Sequence, residues 1–237
     1  MFNSIKKLFP REFLLRLKRS LFAQQDMNTR LLNLRRAGMR PSGAVDGGAY
    51  QGDWTSSVWS IWPDCPSLMI EPLPAQSQAL NFLAAASKDS VVVSKAIGRQ
   101  RGEVHFHLGD TNSHIVSSGP PGETITIDCT TLDDLLDGGL NFRPNLMKLD
   151  LQGHELDALS GCERHLRQFE VIVLEASVLR IGDVPIFTEV DRFMETRGLR
   201  LYDVLPQYYR PRDGALWQMD VFYVRTDSPL IASQSWN

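Results

Sequence analysis

One carboxylate and a group of glycines form the stretch of sequence best suited to binding a ligand. A short apolar run ends at Asp46, and Gly47 and Gly48 follow it. Gly52 comes next, just before a helix-like segment that begins at Asp53. Glycines at such a turn let the backbone approach a ligand closely, and the first turn of a helix offers free N–H groups. The pattern predicts a strand–turn–helix unit that binds a nucleotide-like ligand.

The position of the carboxylate separates two kinds of nucleotide-like ligand. A dinucleotide site has its glycines directly after the strand and binds a diphosphate at the start of the helix. Here Asp46 stands at the strand end, where its charge would repel a diphosphate and attract a cation such as S-adenosylmethionine. Glu71 ends the next apolar run, where an acidic side chain binds the two hydroxyls of a ribose. The alternative is an ordinary strand–turn–helix unit followed by a surface glutamate.

Two more carboxylates fall at the ends of predicted strands. Asp150 follows the apolar run that begins at Leu146, and Glu175 follows the β-branched run that begins at Val171. The carboxyl ends of parallel strands form the edge at which open α/β sheets bind ligands. We therefore expect these two acids to lie near the first two.

The elements that position these acids alternate between strands and helices from Ser42 onward, which predicts a parallel sheet covered on both faces. The predicted strands are Ala44–Asp46, Leu68–Glu71, Val91–Ala96, Leu146–Asp150, Val171–Glu175, Leu199–Val204 and Trp217–Val224. The main predicted helices are Asp53–Trp62, Gln76–Ala86, Leu132–Leu136, one that runs to Leu166, and Ile186–Thr196. Because a turn over residues 206–214 joins the last two strands, we expect the final strand to insert antiparallel. The fold class is therefore α/β, with a seven-stranded, mostly parallel sheet.

The alternation is interrupted between the third and fourth strands. Glu103–Leu108 and Thr124–Asp128 alternate in the manner of hairpin strands. They flank a polar loop over residues 109–122, a candidate lid over an acceptor. The turn before the last strand is a second candidate for acceptor contact, or else an exposed hairpin; it contains Tyr208, Tyr209, Arg210 and Arg212.

The composition excludes several classes of protein. The chain has 237 residues, 43% of them hydrophobic, which is enough for one sizeable core plus an appendage. Its three cysteines contain no CxxC pair, which argues against a disulfide framework and a structural zinc site. No apolar run approaches a membrane span, and no secretory signal is evident. We expect a protein of a reducing compartment, the bacterial cytoplasm.

Charge divides the chain into two regions. Residues 1–40 carry ten Lys or Arg and two acids, a net charge of +8, whereas the remainder carries −11. We assign 1–40 to a basic helical N-terminal extension and 41–237 to the main domain. Within residues 2–22, apolar side chains recur at three- and four-residue spacings between bases. One interpretation is an amphipathic arm that binds the inner face of an anionic membrane or an acidic partner. The other is a helical cap that packs on the acidic body of the same protein or on a twin subunit.

Further motifs carry a resemblance to a known family. They are Val45–Asp53, Ile70–Pro72, Lys95–Gly98 with Gly102, Thr131–Asp133, Met147–Glu155 with Leu159 and Gly161, Leu201–Asp203 and Leu216–Asp220. On these motifs the sequence resembles the FkbM family of S-adenosylmethionine-dependent methyltransferases, from about residue 42 to residue 225. The block Lys148–Glu155 is the most specific, whereas many methyltransferases share the glycine turn. Tyr50 is a departure, since the family often has Asn there.

The resemblance implies a Rossmann-like class I fold and O-methylation of a sugar, a glycan or a secondary metabolite. It implies that Asp46 and the glycine turn hold the methionine part, Glu71 the ribose and Ala96 the adenine. It also implies that Asp150 and Gln152 face the reacting methyl group. The cofactor-binding residues expected by position are Asp46, Gly47, Gly48, Ala49, Gly52, Glu71, Pro72, Ala96, Asp150 and Gln152.

Methyl transfer to a hydroxyl needs a base, because a hydroxyl is a poor nucleophile until it loses its proton. His154, Asp150 and Glu155 lie at or just beyond the end of the fourth strand. We favour His154, since imidazole titrates near neutral pH; its alternative role is capping or packing at the helix start. Pairing with the helix dipole is the alternative for Glu155. Asp150, Glu175 and His154 could offer ligands to a Mg²⁺ ion that polarises the acceptor hydroxyl, but no spacing requires a metal site, and this is left open.

Two other functions compete with this one. A nucleic-acid methyltransferase would use the basic extension, but the main domain is acidic and lacks an Asn/Asp-Pro-Pro-Tyr/Phe motif after the fourth strand. A non-catalytic scaffold with a relic cofactor site is the third hypothesis, opposed by the intact Asp46, Glu71 and Asp150. We therefore expect a small-molecule or glycan acceptor and no nucleic-acid partner, and we leave homo-oligomerisation open.

Overall fold

The computed structural model describes residues 26–107, 114–116, 124–180 and 184–233. The strands are β1 (Ala44–Gly47), β2 (Ser67–Ile70), β3 (Val91–Val93), β4 (Ala96–Ile97), β5 (Gly102–His107), β6 (His114–Val116), β7 (Thr124–Thr130), β8 (Leu146–Leu149), β9 (Val171–Ser177), β10 (Leu199–Tyr209) and β11 (Leu216–Arg225). The α-helices are α1 (Met27–Arg36), α2 (Asp53–Ile61), α3 (Pro74–Ala84), α4 (Leu132–Asp137), α5 (Glu155–Ser160) and α6 (Phe187–Glu195). Short 3-10 helices cover Leu166–Gln168 and Pro229–Ile231.

Seven of the described strands form the main sheet, in the order β10-β11-β9-β8-β1-β2-β3. The neighbours from β9 to β3 are parallel. β11 is antiparallel to both of its neighbours, β9 and β10. The predicted seven-stranded, mostly parallel Rossmann-like sheet with an inserted antiparallel final strand is confirmed. The parallel strands bring their carboxyl ends to one edge, which is where the predicted acids lie.

The central strands are apolar along most of their length because helices cover both faces of the sheet. On one face, Leu174 belongs to a buried cluster that includes side chains of α4, α5 and α6. On the other face, its neighbour Val173 belongs to a cluster that includes side chains of α1 and α2. Full burial of such a side chain contributes roughly 1.5–3 kcal/mol. The strands that carry the site are therefore fixed by packing on both sides.

A second sheet of four described strands, in the order β4-β7-β5-β6, follows β3 in the chain. β5 and β7 are antiparallel, which confirms the predicted hairpin. The predicted third strand was wrong at its end, because Ala96 pairs with Cys129 of β7 instead of extending β3. The predicted loop over 109–122 was also wrong in part, since β6 lies inside it and pairs with β5. So short a strand depends on its neighbour, and periodicity does not reveal it.

The helix predicted to run to Leu166 is shorter than expected. α5 ends at Ser160, and a separate 3-10 helix begins at Leu166. A Cβ at Gly161 would lie 2.2 Å from the carbonyl oxygen of Gly98, so two backbone segments touch at this point. Gly161 permits this contact between backbones, and it is also the residue at which the helix ends. Helix periodicity does not reveal such a tertiary contact.

α1 lies within residues 1–40, which the sequence assigned to an N-terminal extension. Leu31 and Leu34 are buried and belong to the same cluster as Val173, on one face of the sheet. Arg30 donates to the carbonyl oxygen of Val204 at 3.0 Å and forms an ion pair with Asp203 at 3.1 Å. This helix is therefore packed on the main domain.

The amphipathic arm predicted over residues 2–22 lies outside the described residues. Across the four described ranges, no helix is both long and apolar enough to cross a membrane. The proposed roles of the arm therefore rest on its sequence.

Candidate active site

A cavity of about 900 Å³ lies at the carboxyl edge of the main sheet. Its size is at the upper end of the range for ligand pockets, which leaves room for a cofactor and an acceptor. Most of the predicted site residues line it: Asp46, Gly48, Ala49, Glu71, Pro72, Ala96, Asp150, Gln152 and His154. Three predicted residues, Gly47, Gly52 and Glu155, are not among its lining residues.

The glycine turn is held against its neighbours at van der Waals distance. Gly48 has a φ of +76°, and a Cβ there would lie 2.0 Å from the carbonyl oxygen of Asp150. Gly52 has a φ of +81°, and a Cβ there would lie 2.3 Å from a methyl group of Leu83. Glycine is required at both positions by conformation and by space. Gly52 therefore shapes the turn from outside the cavity, while Gly48 forms part of its wall.

Asp46 is 1% exposed and is held by α2. Its Oδ2 accepts hydrogen bonds from the backbone N–H of Thr55 at 3.2 Å and from the Thr55 hydroxyl at 2.6 Å. Burial raises the pKa of Asp46, while Lys148 and Thr55 act in the opposite direction. No donor among the described residues reaches Oδ1, so this oxygen is free to accept from a ligand that lies against the glycine turn.

Glu71 is positioned by two backbone amides. Its Oε2 accepts from the N–H of Tyr50 at 2.9 Å, and its Oε1 accepts from the N–H of Leu73 at 2.9 Å. Burial raises the pKa of Glu71, and these two hydrogen bonds oppose that rise. Tyr50, the departure from the resemblance, has a φ of +47°, a left-handed conformation that Asn adopts more readily than Tyr. Its contact with Glu71 uses only backbone atoms, so the departure preserves it.

Lys148 is a buried cation that the sequence did not place in the site. Its Nζ lies 2.8 Å from Oδ2 of Asp150, whose Oδ1 accepts from the side chain of Gln152 at 3.1 Å. Burial alone would lower the pKa of Lys148, but Asp150, Asp220 and Asp46 together raise it. Lys148 therefore stays charged and holds the carboxylate of Asp150 in position. The signal was present in the block Lys148–Glu155, where Lys precedes Asp by two residues on one strand face.

Glu175 and Asp220 form the next row of acids on β9 and β11, where they are paired across the antiparallel ladder. Gln218 donates to Oε2 of Glu175 at 3.0 Å, and Gln207 donates to Oδ2 of Asp220 at 2.5 Å. Burial raises the pKa of Glu175 to about 8, and the charges of neighbouring acids, Asp150 first among them, add to the rise. Glu175 lines the cavity. The sequence placed it at the ligand edge as one of three possible metal ligands, with Asp150 and His154, and gave it no role as a base.

His154 and Glu155, both predicted to be catalytic, have different positions. His154 lines the cavity, and its Nδ1 lies 3.6 Å from Oδ2 of Asp157. Glu155 is buried, and its Oε1 accepts from the backbone N–H groups of Leu151 at 2.7 Å and Gly153 at 3.3 Å. Burial raises the pKa of Glu155 to about 7. Its carboxyl group thus organises the loop between β8 and α5 instead of facing the cavity.

The far end of the cavity from the glycine turn is polar and aromatic. Tyr208, Trp217, Gln218, Ser177 and Val184 line it. The turn predicted over 206–214 was wrong in extent, because β10 continues to Tyr209 through its pairing with β11. Arg210 pairs with Asp213 inside the remaining turn, and Tyr209 and Arg212 are not among the lining residues.

The described part of the chain contains no group of three or more His, Cys, Asp or Glu side chains that could hold a metal ion. The positive charge next to Asp150 is the ammonium group of Lys148. Mg²⁺ is therefore a condition to be tested, without a ligand set in this part of the protein.

Comparisons with known proteins identify the family of this chain. The methyltransferase FkbM domain model matches residues 46–201. No relative with a curated description matches the sequence. Among solved structures, methyltransferase FkbM from Methylobacillus flagellatus KT is 17% identical with a TM-score of 0.49, over 85% of this chain and 57% of that chain. Fibrillarin from Aeropyrum pernix, with S-adenosyl-L-methionine natively bound, is 12% identical with a TM-score of 0.47, over 77% of this chain and 66% of that chain.

Precorrin-6y C5,15-methyltransferase from Geobacter metallireducens GS-15 is 15% identical with a TM-score of 0.45, over 84% of this chain and 86% of that chain. The match spans less than two thirds of the length of the Methylobacillus flagellatus and Aeropyrum pernix proteins. The assignment rests on the family model, whose match includes the glycine turn, the acids Glu71 and Glu175, and the block Lys148–Glu155. The chain belongs to the FkbM family of S-adenosylmethionine-dependent methyltransferases.

Proposed function

We propose that this methyltransferase transfers the methyl group to a hydroxyl of a sugar, a glycan or a secondary metabolite. The observation that carries the proposal is the single cavity in which Asp46, Gly48 and Glu71 meet the acids Asp150 and Glu175. One end has groups that suit a cationic nucleoside, and the other end has carboxylates that can accept a proton from a hydroxyl. A small hydroxyl compound bound at the end with the carboxylates would therefore lie beside the cofactor.

The cofactor end fits S-adenosylmethionine by its donor set and its shape. Oδ1 of Asp46 is free to accept from a cationic group, and both oxygens of Glu71 keep a lone pair for ribose hydroxyls. Gly48 leaves its wall of the cavity open where a side chain would collide with Asp150. When bound, the cofactor supplies an electrophilic methyl group. The backbone of Ala96, at the edge of the second sheet, would lie by the adenine.

The acceptor end must orient a hydroxyl and remove its proton. Asp150 has both oxygens engaged, by Lys148 and Gln152, so it acts as a fixed anion that can orient a hydroxyl. His154 borders the same space and is the base that the sequence favoured. Glu155 supports this region by fixing the loop that carries His154.

The charge of the cavity favours a small acceptor over nucleic acid. Five acids and two bases line it: Asp46, Asp53, Glu71, Asp150, Glu175, Lys95 and Lys148. A negative cavity repels the phosphates on which nucleic-acid binding depends. Methyl transfer to RNA or DNA that survives high salt would contradict this part of the proposal.

A calorimetric titration with S-adenosylhomocysteine tests the cofactor site. We expect Asp46→Asn to weaken binding about tenfold or more, because it removes a charge-assisted contact but keeps the Thr55 hydrogen bonds. Asp64→Asn, which removes an exposed charge, is the matched control and should bind as the wild type does. Titrations with and without Mg²⁺ show whether a cation contributes.

Absence of S-adenosylhomocysteine binding by the wild type would overturn the proposal and favour the scaffold hypothesis. Binding that survives in Asp46→Asn would place the cofactor elsewhere. Once binding is established, radiolabelled methyl transfer to panels of sugars, glycans and hydroxylated metabolites identifies the acceptor class.

Location and assembly complete the proposal. We place the protein in the cytoplasm, with peripheral contact to the inner membrane face through the basic residues 1–40 and with self-association as an alternative use of this segment. Binding to anionic liposomes should weaken with salt. Equal binding after deletion of residues 1–25 would exclude the arm as the membrane contact.

A further inference from the structure

Glu175 differs in its hydrogen bonds from Asp150 and Glu71, two other acids that line the cavity. Asp150 and Glu71 each have a donor on both carboxylate oxygens. Glu175 has one described donor, Gln218, which reaches Oε2 at 3.0 Å, and its Oε1 has none among the described residues. Since Glu175 lines the cavity, a proton can reach this carboxyl group from a bound molecule.

The charged groups around Glu175 favour its protonated form. Asp150, Glu155 and Asp220 face it from the end of β8, from α5 and from β11, and all three are acids. The facing cation is Lys148, whose Nζ is engaged by Asp150 at 2.8 Å. Burial first of all, and then the three acids, raise the pKa of Glu175 to about 8, while Lys148 opposes the rise. A carboxyl group with a pKa this close to neutral pH is well suited to acid–base catalysis.

We propose that Glu175 takes the proton of the acceptor hydroxyl, and that it is ionised beside the sulfonium cofactor and protonated beside the thioether product. This role rests on the proposed function. In the reaction the O–H bond of the acceptor breaks and its proton passes to the Glu175 carboxylate. The oxygen gains the methyl group as the carbon–sulfur bond breaks, and that bond's electrons stay on sulfur. The cavity thus loses one positive and one negative charge together.

His154 is the competing base, and its surroundings are less suited to this exchange. Its Nδ1 faces Asp157, an acid outside the cavity lining, at 3.6 Å. Glu175 instead lies in the row of acids at the sheet edge, with Asp150 after the neighbouring strand β8 and Asp220 opposite it on β11. A positive charge on the cofactor favours the ionised form of Glu175, as any nearby cation does for a carboxylate. Proton exchange at Glu175 is therefore coupled to the charge of the cofactor.

The coupling can be measured without knowing the acceptor. A cation that lowers the pKa of a carboxyl group binds more tightly once that group is ionised. The affinity for S-adenosylmethionine relative to S-adenosylhomocysteine should therefore rise as pH increases towards about 8, and level off above it. A shift of one pKa unit on binding corresponds to about a tenfold change in this ratio.

The experiment compares the two ligands by calorimetry from about pH 7 to about pH 9 in wild type, Glu175→Gln and Glu155→Gln. Glutamine at 175 keeps an oxygen for Gln218 and removes one of several like charges, so the variant is expected to fold. We expect the affinity ratio to rise about tenfold in the wild type and to stay flat in Glu175→Gln after allowance for ligand ionisation. The ligands' own groups titrate alike with every variant and cancel in the comparison.

Glu155→Gln is the matched control, because it removes a second buried carboxyl that does not line the cavity. It should keep the rise in ratio, displaced to lower pH since one negative neighbour of Glu175 is gone. The same rise in Glu175→Gln as in the wild type would overturn the role of Glu175. Failure of the wild type to bind either ligand would instead remove the proposed function, and with it this role.

Discussion

Carboxyl groups occur in two contrasting groups in this protein, one around α4 and one around the cavity. Near α4, Asp134 pairs with Arg101, and Asp133 and Asp137 pair with Arg164. Hydrogen bonds from Arg101 and Thr131 lower the pKa of Asp134. Each of these acids contacts an arginine, so their charges are balanced within the fold.

The acids of the cavity lack that balance. Burial raises the pKa of Asp46, Glu71 and Glu175. Lys148 is the buried lysine whose positive charge lies among these acids. Buried charge without a full set of partners costs free energy, and such sites exist where a ligand or a proton supplies the missing charge. The bases that lie beside a group of acids therefore indicate more about its function than the positions of the acids along the chain do.

Removing the lysine of the cavity should have the largest effect. Lys148→Met leaves the carboxylate of Asp150 without its 2.8 Å partner and removes the attraction that Lys148 exerts on Asp46 and Asp220. Loss of one member of a buried pair costs about 3–5 kcal/mol of unfolding free energy. Urea unfolding at neutral pH measures it. The deficit should shrink as pH falls, because the raised pKa values of Asp46 and Asp220 let those acids take up protons.

Lys95→Met is the matched control for that variant. Lys95 also lines the cavity, but its side chain is 46% exposed and lies 3.8 Å from Asp128. Exposed pairs contribute about 0–1 kcal/mol. Equal losses in the two lysine variants would show that burial does not distinguish the cavity acids, and the contrast with α4 would fail.

The sequence was sufficient to predict the sheet and the position of the cavity acids. Runs of buried residues such as Val171–Leu174 identify central strands, and an acid that follows such a run must lie at the carboxyl edge. The glycine turn after Asp46 was equally readable, since conformation and space both require glycine at Gly48 and Gly52. These features depend on residues close together in the chain.

The features that were not predicted depend on contacts that the apolar periodicity of the sequence does not encode. The lysine's role in the cavity needs the carboxylate of Asp220, which enters from β11, more than seventy positions later in the chain. The inward turn of Glu155 depends on which backbone amides of its own loop lack partners. Ala96 joined the second sheet because Cys129 offered a parallel partner. None of these follows from local periodicity.

Replacement of Glu155, a buried acid that does not line the cavity, should have an intermediate effect on stability. Both described amide donors reach its Oε1, so Glu155→Gln can keep them, whereas Glu155→Ala loses them. Since burial raises the pKa of Glu155 to about 7, the wild type loses stability from this group as pH rises through about 7. Glu155→Gln should remove that loss, and above about pH 7 its unfolding free energy should then exceed that of the wild type by up to about 3 kcal/mol. Unfolding curves at several pH values test this, and a parallel decline in both proteins would contradict it.

The smallest effect is expected at α4, from Asp134→Asn. Asp134 donates its backbone N–H to the hydroxyl of Thr131, and this helix cap is independent of the carboxylate that Arg101 contacts. Because pairing lowers the pKa of Asp134, its carboxylate stabilises the fold above the usual titration range of aspartate, and this is lost as pH falls through the lowered pKa. Solvent and salt screen such a pair, so thermal unfolding at neutral pH should change little, and less still in high salt. A loss comparable to that of Lys148→Met, insensitive to salt, would mean that the α4 acids are as dependent on a single cation as the cavity acids are.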